Sequence, residues 1–380
     1  MMEKFLEVYQ NRHKYQKEYR KRTGNKVVGY FCTYVPEEIL YAADILPVRI
    51  LGGHEPPSLA VPHLFDMWCP FSRDCLSQGL AGKYDYLDGV MIAQSCLHQR
   101  HAFAAWEINV PTPWKYFLCM PNAVRSPHAK SFLAGELMDF KKAVEEWVGR
   151  PITEEDLARG IDIVNTNRRL MKQVYQFRKK DNPPLTGAEA MTMVWASQLM
   201  DKREHNEILK EVLAELPERK LERDPGVRLM MVGSENDDLP FISMVENNLP
   251  GTFVIEDHCT GARYFWDEVV TNGDGLQAIA NRYCDRVPCA NKDWGPVGIE
   301  RKRFAFILNL AQEYKVQGVL LIQQKFCDPH ELDIPSLRRR LEANGLPCYF
   351  LEFEVTVPVG QFRIRVEAFL EQIRAEDLFS

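Results

Sequence analysis

The chain has 380 residues, of which 46% are hydrophobic and 26% are charged, and this ordinary globular composition excludes wholesale disorder. Such a length predicts two or three domains. The 47 basic and 53 acidic residues give a net charge of −6, which argues against a dedicated nucleic-acid-binding protein. The charged N-terminal stretch lacks an apolar secretory core, and no apolar run approaches roughly 18 residues, so we expect a cytoplasmic protein without a membrane span.

The first part of the chain predicts an opening helix followed by an α/β unit. The opening helix covers residues 3–22, and a second helix is expected after Pro36, where apolar residues recur at helical spacing. Strand-like runs lie at 26–31, 46–52, 88–94 and 114–119. The run DGVMIAQ at 88–94 is continuously apolar in its centre, which is typical of a parallel strand covered on both faces.

A helical middle and a second α/β unit follow. Residues 127–220 carry long helical patterns with few strand signals. Strand-like runs return at 227–234, 253–256, 318–322 and 347–353, with helical patterns at about 299–315, 331–343 and 361–375. Alternating strands and helices predict parallel sheets with crossover helices. We therefore predict an α/β protein in three parts, namely an N-terminal helix with a first α/β domain at 1–126, a helical region at 127–220 and a second α/β domain at 221–380.

Ten cysteines in a chain expected in the cytosol are candidates for metal ligands rather than disulfides. Cys96 and Cys327 each follow a strand-like run, and ligands bind at the carboxyl ends of strands in open α/β sheets. Cys69 precedes the helical run PFSRDCLSQGL, where a helix N-terminus would stabilise a thiolate, and Cys75 in the same run is the alternative. Three such cysteines could hold a [4Fe–4S] cluster with one iron open, but with no compact CxxC run the spacing alone favours unrelated buried cysteines.

Three polar residues are further candidates for chemistry. His98 follows Cys96 closely and could donate protons, because the pKa of histidine lies near neutrality. Arg100 could pair with a phosphate or carboxyl group of a substrate. Glu38 either presents a carboxylate to the cleft or only complements a helix dipole. No GxxxxGK[ST] motif occurs, so any ATP used in this system would be bound by another chain.

Five ordered blocks carry a more specific signal: GYFCTYVPEEILYAADILPVRILGG, CPFSRDCLSQGLAGKYDYLDGVMIAQSCLHQR, EDHCTGARYFWDEV, GVLLIQQKFCDPHELDIPSLRRRLEANGLPCYFLEFE and GQFRIRVEAFLEQI. Together they resemble the 2-hydroxyacyl-CoA dehydratase and benzoyl-CoA reductase family over nearly the whole chain. The resemblance implies two flavodoxin-like parallel-sheet domains with a helical insert between them. It also implies a [4Fe–4S] cluster held between the domains by Cys69, Cys96 and Cys327.

The resemblance further implies an oxygen-sensitive hetero-oligomer. Its partners would be a larger paralogous cluster subunit, an ATP-hydrolysing activator and a low-potential electron donor such as ferredoxin, with an acyl-CoA as substrate. Dehydratases of this family often have Asp after the second ligand cysteine, whereas this chain has Leu97.

The resemblance therefore favours the smaller of the two cluster-bearing subunits of ATP-dependent benzoyl-CoA reductase, the one usually called C. That enzyme reduces benzoyl-CoA to a cyclohexadienoyl-CoA in anaerobic aromatic degradation. The alternatives are the small subunit of a 2-hydroxyacyl-CoA dehydratase and a non-catalytic electron-relay or scaffold subunit.

Overall fold

The computed structural model describes residues 2–271, 273–294 and 300–379, within which there are eight β-strands and fourteen α-helices. The strands are β1 (Val27–Tyr30), β2 (Leu46–Arg49), β3 (Gly89–Ala93), β4 (Trp114–Leu118), β5 (Val227–Gly233), β6 (Gly251–Asp257), β7 (Gly318–Gln324) and β8 (Cys348–Phe353). The first helices are α1 (Met2–Gln10), α2 (Arg12–Thr23), α3 (Glu37–Ala42), α4 (Pro70–Leu80), α5 (Leu97–Asn109), α6 (Ala129–Val148) and α7 (Glu154–Phe177). The remaining helices are α8 (Gly187–Ser197), α9 (Lys202–Glu215), α10 (Leu239–Asn248), α11 (Gly275–Asp285), α12 (Lys302–Glu313), α13 (Asp328–Glu342) and α14 (Val359–Phe379).

The strands form two four-stranded sheets with the same internal order, β2-β1-β3-β4 and β6-β5-β7-β8. Every neighbouring pair is parallel. Every residue of β5, β6 and β7 is buried, as their apolar runs require of parallel strands covered by helices on both faces. This architecture confirms the predicted fold class, with two flavodoxin-like sheets, and each predicted strand is present.

The opening helix is divided in two, and its two halves contact different parts of the molecule. Asn11, with φ −111° and ψ 28°, interrupts the helix between α1 and α2. The ring of Phe5 lies 4.8 Å from that of His205, and the ring of Tyr9 lies 4.8 Å from that of Trp195. Helix α1 therefore packs on the helical middle of the chain, whereas α2 contacts the first α/β unit, where Arg20 pairs with Asp88 just before β3 and the Tyr86 hydroxyl donates to the Gln16 side chain.

The helical middle is shared between the two sheets. Helix α6 packs on β4, α7 packs on α3, and α8 packs on α10 and β6. Helix α11, although it follows β6 in sequence, packs against α6 and α7. Its Tyr283 hydroxyl donates to the Val35 carbonyl oxygen at 2.7 Å, and Arg286 donates to the Thr33 carbonyl oxygen at 3.0 Å. The chain thus crosses between the two halves more than once, and the boundaries at 126 and 220 stay predictions.

The carboxyl ends of the two sheets face each other across one cleft. Arg49 ends β2, and its guanidinium lies 3.7 Å from the carboxylate of Glu235, which follows β5. Near this pair, His54 Nε2 lies 3.2 Å from an Asp237 carboxylate oxygen. In the described ranges, no helix is both long enough and apolar enough to cross a membrane.

Candidate metal centre

Each of the three predicted cysteines immediately precedes a helix. Cys69 is the N-cap residue of α4, Cys96 that of α5 and Cys327 that of α13. The first backbone N–H groups of a helix have no partner within the helix, and the helix dipole places partial positive charge there. Three helix N-termini from both halves of the molecule therefore bring unpaired donors to the cysteine loops, an arrangement that favours bound negative charge.

The three thiols lie close enough to influence one another. Burial raises the pKa of Cys327, and Cys69, Glu235 and Cys96 raise it further. Burial raises the pKa of Cys69 to about 12, although the backbone N–H groups of Phe71 and Ser72 oppose the rise. The pKa of Cys96 is raised by burial, then by Glu235 and Cys69. Each of these thiols is thus near at least one other negative group, so three thiolates here would need a cation to offset their charges.

Cys75 lies in a different environment from Cys69. Its side chain is fully buried, and its Sγ donates to the Ile50 carbonyl oxygen at 3.6 Å. Burial raises the pKa of this thiol, with the Asp74 carboxylate as the next cause. Because Cys75 is in the second turn of α4 and contacts the chain just after β2, its position favours Cys69 as the ligand of the two.

His98 contacts all three cysteine loops. It belongs to the first turn of α5, two residues after Cys96, and its Nδ1 accepts a 2.6 Å hydrogen bond from the backbone N–H of Cys69. Its Nε2 lies 3.5 Å from a carboxylate oxygen of Asp328, which directly follows Cys327. Burial lowers the pKa of His98 to about 4, so the ring is neutral near pH 7 and its proton is on Nε2.

The other two predicted residues are placed very differently. Glu38 is fully buried, with Oε1 2.7 Å from an Arg168 nitrogen and Oε2 accepting from the Tyr283 hydroxyl at 3.2 Å. Burial raises the pKa of Glu38, but the charges of Arg168 and Arg282 outweigh it and lower the pKa. This environment favours a structural role between α3, α7 and α11. Arg100 is exposed on α5, and the described residues offer it no ion pair.

Two charged residues at the site were not singled out by their sequence positions. Glu235 follows β5 at the carboxyl end of the sheet, and it raises the pKa of all three thiols. Glu235 follows a strand as Cys96 and Cys327 do, but carboxylates in loops are too common for this position to stand out in the sequence. Arg49 could have been noticed as the one charge within the strand-like run LPVRILG.

These residues suit an anionic iron–sulfur cluster. No three His, Cys, Asp or Glu side chains in the described ranges are arranged as ligands of a single metal ion. Three cysteines nevertheless supply the soft thiolate donors that iron–sulfur clusters take, and three helix N-termini surround them. The nitrogens of the Arg49 guanidinium are buried without hydrogen-bond acceptors among the described residues, which also fits an additional anion there.

Comparison with known proteins identifies the family. The family described as 2-hydroxyglutaryl-CoA dehydratase, D-component, matches residues 32–373, a span that includes all three cysteines and the whole second sheet. The chain belongs to this family. The resemblance predicted from the five sequence blocks is therefore confirmed.

Relatives within the family include subunits of reductases and of dehydratases. The chain is 26% identical over 351 residues to the C subunit of benzoyl-CoA reductase from Thauera aromatica, covering 91% of this chain and 89% of the relative. It is 27% identical over 376 residues to the (R)-phenyllactyl-CoA dehydratase beta subunit of Clostridium sporogenes, covering 97% of each chain. It is 24% identical over 362 residues to the beta subunit of (R)-2-hydroxyglutaryl-CoA dehydratase from Acidaminococcus fermentans, covering 93% and 94%. Identity alone does not choose between the two activities.

Proposed function

We propose that this chain is a [4Fe–4S]-containing subunit of an ATP-dependent benzoyl-CoA reductase. The observation that carries the proposal is that Cys69, Cys96 and Cys327 are each the N-cap residue of a helix, with Cys69 and Cys96 among the groups that raise the pKa of Cys327. Leu97, the first residue of α5, stands where dehydratases of the family often have Asp, and this favours the reductase branch. The similarity to the benzoyl-CoA reductase relative supports the same choice.

In this proposal the chain's own residues hold the cofactor and shield it. Cys69, Cys96 and Cys327 would be the ligands, and a bound [4Fe–4S] cluster would pass single electrons at low potential. The burial of Cys69 and Cys327 excludes water, which limits the loss of electrons to protons. Exposed Arg100 is available for an anionic group of the CoA ester, and His98 is the candidate donor for the protons that ring reduction consumes.

The proposed complex contains other chains. Reduction of benzoyl-CoA to a cyclohexadienoyl-CoA takes two electrons and two protons, and an aromatic ring accepts them only from a strong reductant. We propose that an ATP-hydrolysing activator delivers the electrons from a donor such as ferredoxin to this chain and to a larger paralogous cluster subunit, in the cytoplasm. The relatives, which are named as subunits, support a multi-subunit assembly.

Two other functions each have one observation in their favour. The similarity to the (R)-phenyllactyl-CoA dehydratase beta subunit covers more of the chain than that to the reductase relative, and it favours a dehydratase. The groove beside Phe71, Asn236 and Gln324 has a volume of about 10 Å³, whereas small-molecule sites take roughly 300–1,000 Å³. Such a narrow groove favours an electron-relay subunit whose partner binds the substrate.

The cluster is tested by anaerobic iron and sulfide analysis with electron paramagnetic resonance (EPR) spectroscopy of the reduced chain. We expect about four irons in the wild type. The iron should be lost in Cys69→Ser, Cys96→Ser and Cys327→Ser but kept in Cys75→Ser, whose thiol bonds to the Ile50 carbonyl. Zinc in place of iron, or no metal in anaerobically prepared wild type, would contradict the proposal.

The reaction is tested by counting electrons in the reconstituted complex. A reductase consumes two electrons for each product molecule, whereas a dehydratase returns its electron and needs reductant only in catalytic amounts. Stoichiometric consumption with benzoyl-CoA would support the first proposal, and catalytic consumption with a 2-hydroxyacyl-CoA would support the second. If this chain binds no CoA ester but its partner does, the relay function is favoured.

A further inference from the structure

Arg49 is a buried cation that lacks hydrogen-bond acceptors. Its side chain is 0% exposed, and none of its three guanidinium nitrogens has a hydrogen-bond partner among the described residues. The nearest carboxylate, Glu235, is 3.7 Å away, which is beyond hydrogen-bond distance. The rings of Tyr30 and Phe71 lie 5.9 and 6.0 Å from the guanidinium carbon, and they offer a favourable electrostatic face but no acceptor.

Other buried arginines in the described ranges have hydrogen-bond acceptors for their guanidinium groups. Arg178 donates Nη1 to a Glu256 carboxylate oxygen at 2.8 Å and Nη2 to the Phe253 carbonyl oxygen at 2.9 Å. Arg263 donates Nε to Asp257 at 2.7 Å. Leaving a buried polar group unpaired costs roughly 1–3 kcal/mol, and more for a charged one. Folding therefore leaves the Arg49 guanidinium without hydrogen-bond acceptors, and an additional acceptor would remove this cost in free energy.

The missing acceptor would lie beside the cysteine loops. Phe71, which flanks the guanidinium, is the second residue of α4 and follows Cys69 by two positions. Glu235, on the other side, raises the pKa of all three thiols, as it also does for Cys75 and Cys259. The thiols that raise the pKa of Arg49 itself are Cys32 and Cys75. Arg49 belongs to the first sheet and Glu235 to the second, so the pair spans the same cleft as the three cysteines.

We propose that Arg49 donates hydrogen bonds to the anionic group that Cys69, Cys96 and Cys327 hold, and that it stabilises the reduced form of that group. The inference rests on the proposed function, since it takes the group to be a [4Fe–4S] cluster. Three thiolates leave such a cluster negatively charged, and reduction adds one electron without forming or breaking a covalent bond. Hydrogen bonds and nearby charge set the reduction potential of iron–sulfur clusters, so a buried guanidinium raises it.

The test is an EPR-monitored redox titration of the full chain, prepared anaerobically with its cluster. Glu235→Gln is the reference, because it allows Arg49 to be removed without leaving a buried carboxylate unpaired. We expect Arg49→Met in that background to lower the reduction potential while iron content stays unchanged. Arg49→Lys, which keeps the charge but not the planar donors, should give an intermediate potential.

A matched control removes another buried ion pair of the same type. Arg178→Met with Glu256→Gln deletes a pair whose side chains are 1% and 2% exposed, and neither residue is among the groups that most shift the pKa of Cys69, Cys96 or Cys327. This double variant should keep the wild-type potential. Equal potentials for Glu235→Gln with and without Arg49→Met would overturn the inference and leave the cluster assignment intact. Absence of a cluster from the wild type would instead overturn the proposed function and this inference with it.

Discussion

At the scale of single residues, His98 is compatible with two roles that experiment can separate. The Nδ1 atom is occupied by the Cys69 backbone N–H, so only the Nε2 proton, directed toward Asp328, is available for donation. A neutral imidazole is a weak acid, and burial lowers the pKa of His98 to about 4. Its contacts with the three cysteine loops are as well suited to positioning the ligands as to moving a proton.

We predict that His98→Ala loses iron whereas His98→Asn keeps most of it. The Asn side-chain oxygen can accept from the Cys69 N–H in place of Nδ1, whereas Ala leaves that buried donor unpaired at a cost of roughly 1–3 kcal/mol. The measurement is iron per chain after anaerobic purification, together with turnover of the assembled complex. Equal iron content in both variants with loss of turnover in both would identify His98 as a proton donor with no positioning role.

Residue types were easier to predict than their environments. Cys96 and Cys327 could be selected because they follow apolar strands, and Cys69 because it precedes a helix. The ion pair of Glu38 with Arg168 could not be predicted, because the two residues are far apart in sequence and meet only when α7 packs on α3. The same limit applies to Arg49, whose unpaired state depends on every neighbour in the folded chain.

At the scale of elements, the contact between α3 and α7 depends on a glycine. A Cβ atom at Gly160 would lie 2.1 Å from the Glu38 carbonyl oxygen and 2.9 Å from the Ala42 nitrogen, and both are backbone atoms that cannot rotate away. Helix α7 can therefore approach α3 closely only because position 160 lacks a side chain. This contact carries the Glu38–Arg168 ion pair and helps to place the helical middle against the first sheet.

We predict that Gly160→Ala destabilises the protein by about 1–3 kcal/mol, the usual cost of overpacking. The matched control is Gly135→Ala in α6, where an added Cβ meets nothing within 4 Å. There the higher helix propensity of Ala should stabilise the protein by about 0.5–1 kcal/mol. Urea unfolding of the two variants measures both effects, and a neutral or stabilising Gly160→Ala would show that the helices separate without cost.

Strands were predicted more completely than helix packing. All eight strands could be located because parallel strands read as short apolar runs bounded by turns, although β6 begins at Gly251, before the predicted start at 253. The break at Asn11 and the packing of α1 on α8 had no comparable signal. The packing of α11 on the first half of the molecule also had no sequence signal. Amphipathicity shows that a helix has a buried face, but it does not show which sheet covers that face.

At the scale of the whole molecule, polar contacts connect the two halves beside the cysteine loops. His54, in the loop after β2, pairs with Asp237, in the loop after β5. The backbone oxygen of Asp237 accepts from the Tyr9 hydroxyl at 2.5 Å, and Arg12 donates to the Gly52 carbonyl oxygen at 2.6 Å. The opening helices thereby join both loops, which gives the N-terminal segment a part in fixing the cleft.

The pair of His54 with Asp237 should make stability depend on pH in a defined direction. Asp237 raises the pKa of His54 to about 10, with Asp238 and Asp74 contributing, whereas an unfolded histidine has a pKa of about 6.5. A group whose pKa is raised by folding contributes its full stabilisation below the unfolded value and loses it as pH rises toward the folded value. The contribution of this pair is therefore complete near pH 6 and declines between pH 6.5 and 10.

We predict that His54→Asn lowers the urea midpoint most at pH 6 and progressively less at pH 8 and pH 10. Asn is the suitable replacement because His54 has φ 57°, a left-handed conformation that Asn tolerates, so the substitution removes charge without adding backbone strain. Comparing variant with wild type at each pH cancels the titration of the cysteines and tyrosines, which both proteins share. His63→Asn, at an exposed histidine for which the described residues provide no ion pair, is the control and should show no such trend. If the difference in urea midpoint between variant and wild type stays constant or grows with pH, the ion pair does not connect the two halves. The Tyr9 and Arg12 contacts would then be enough to hold the two loops together.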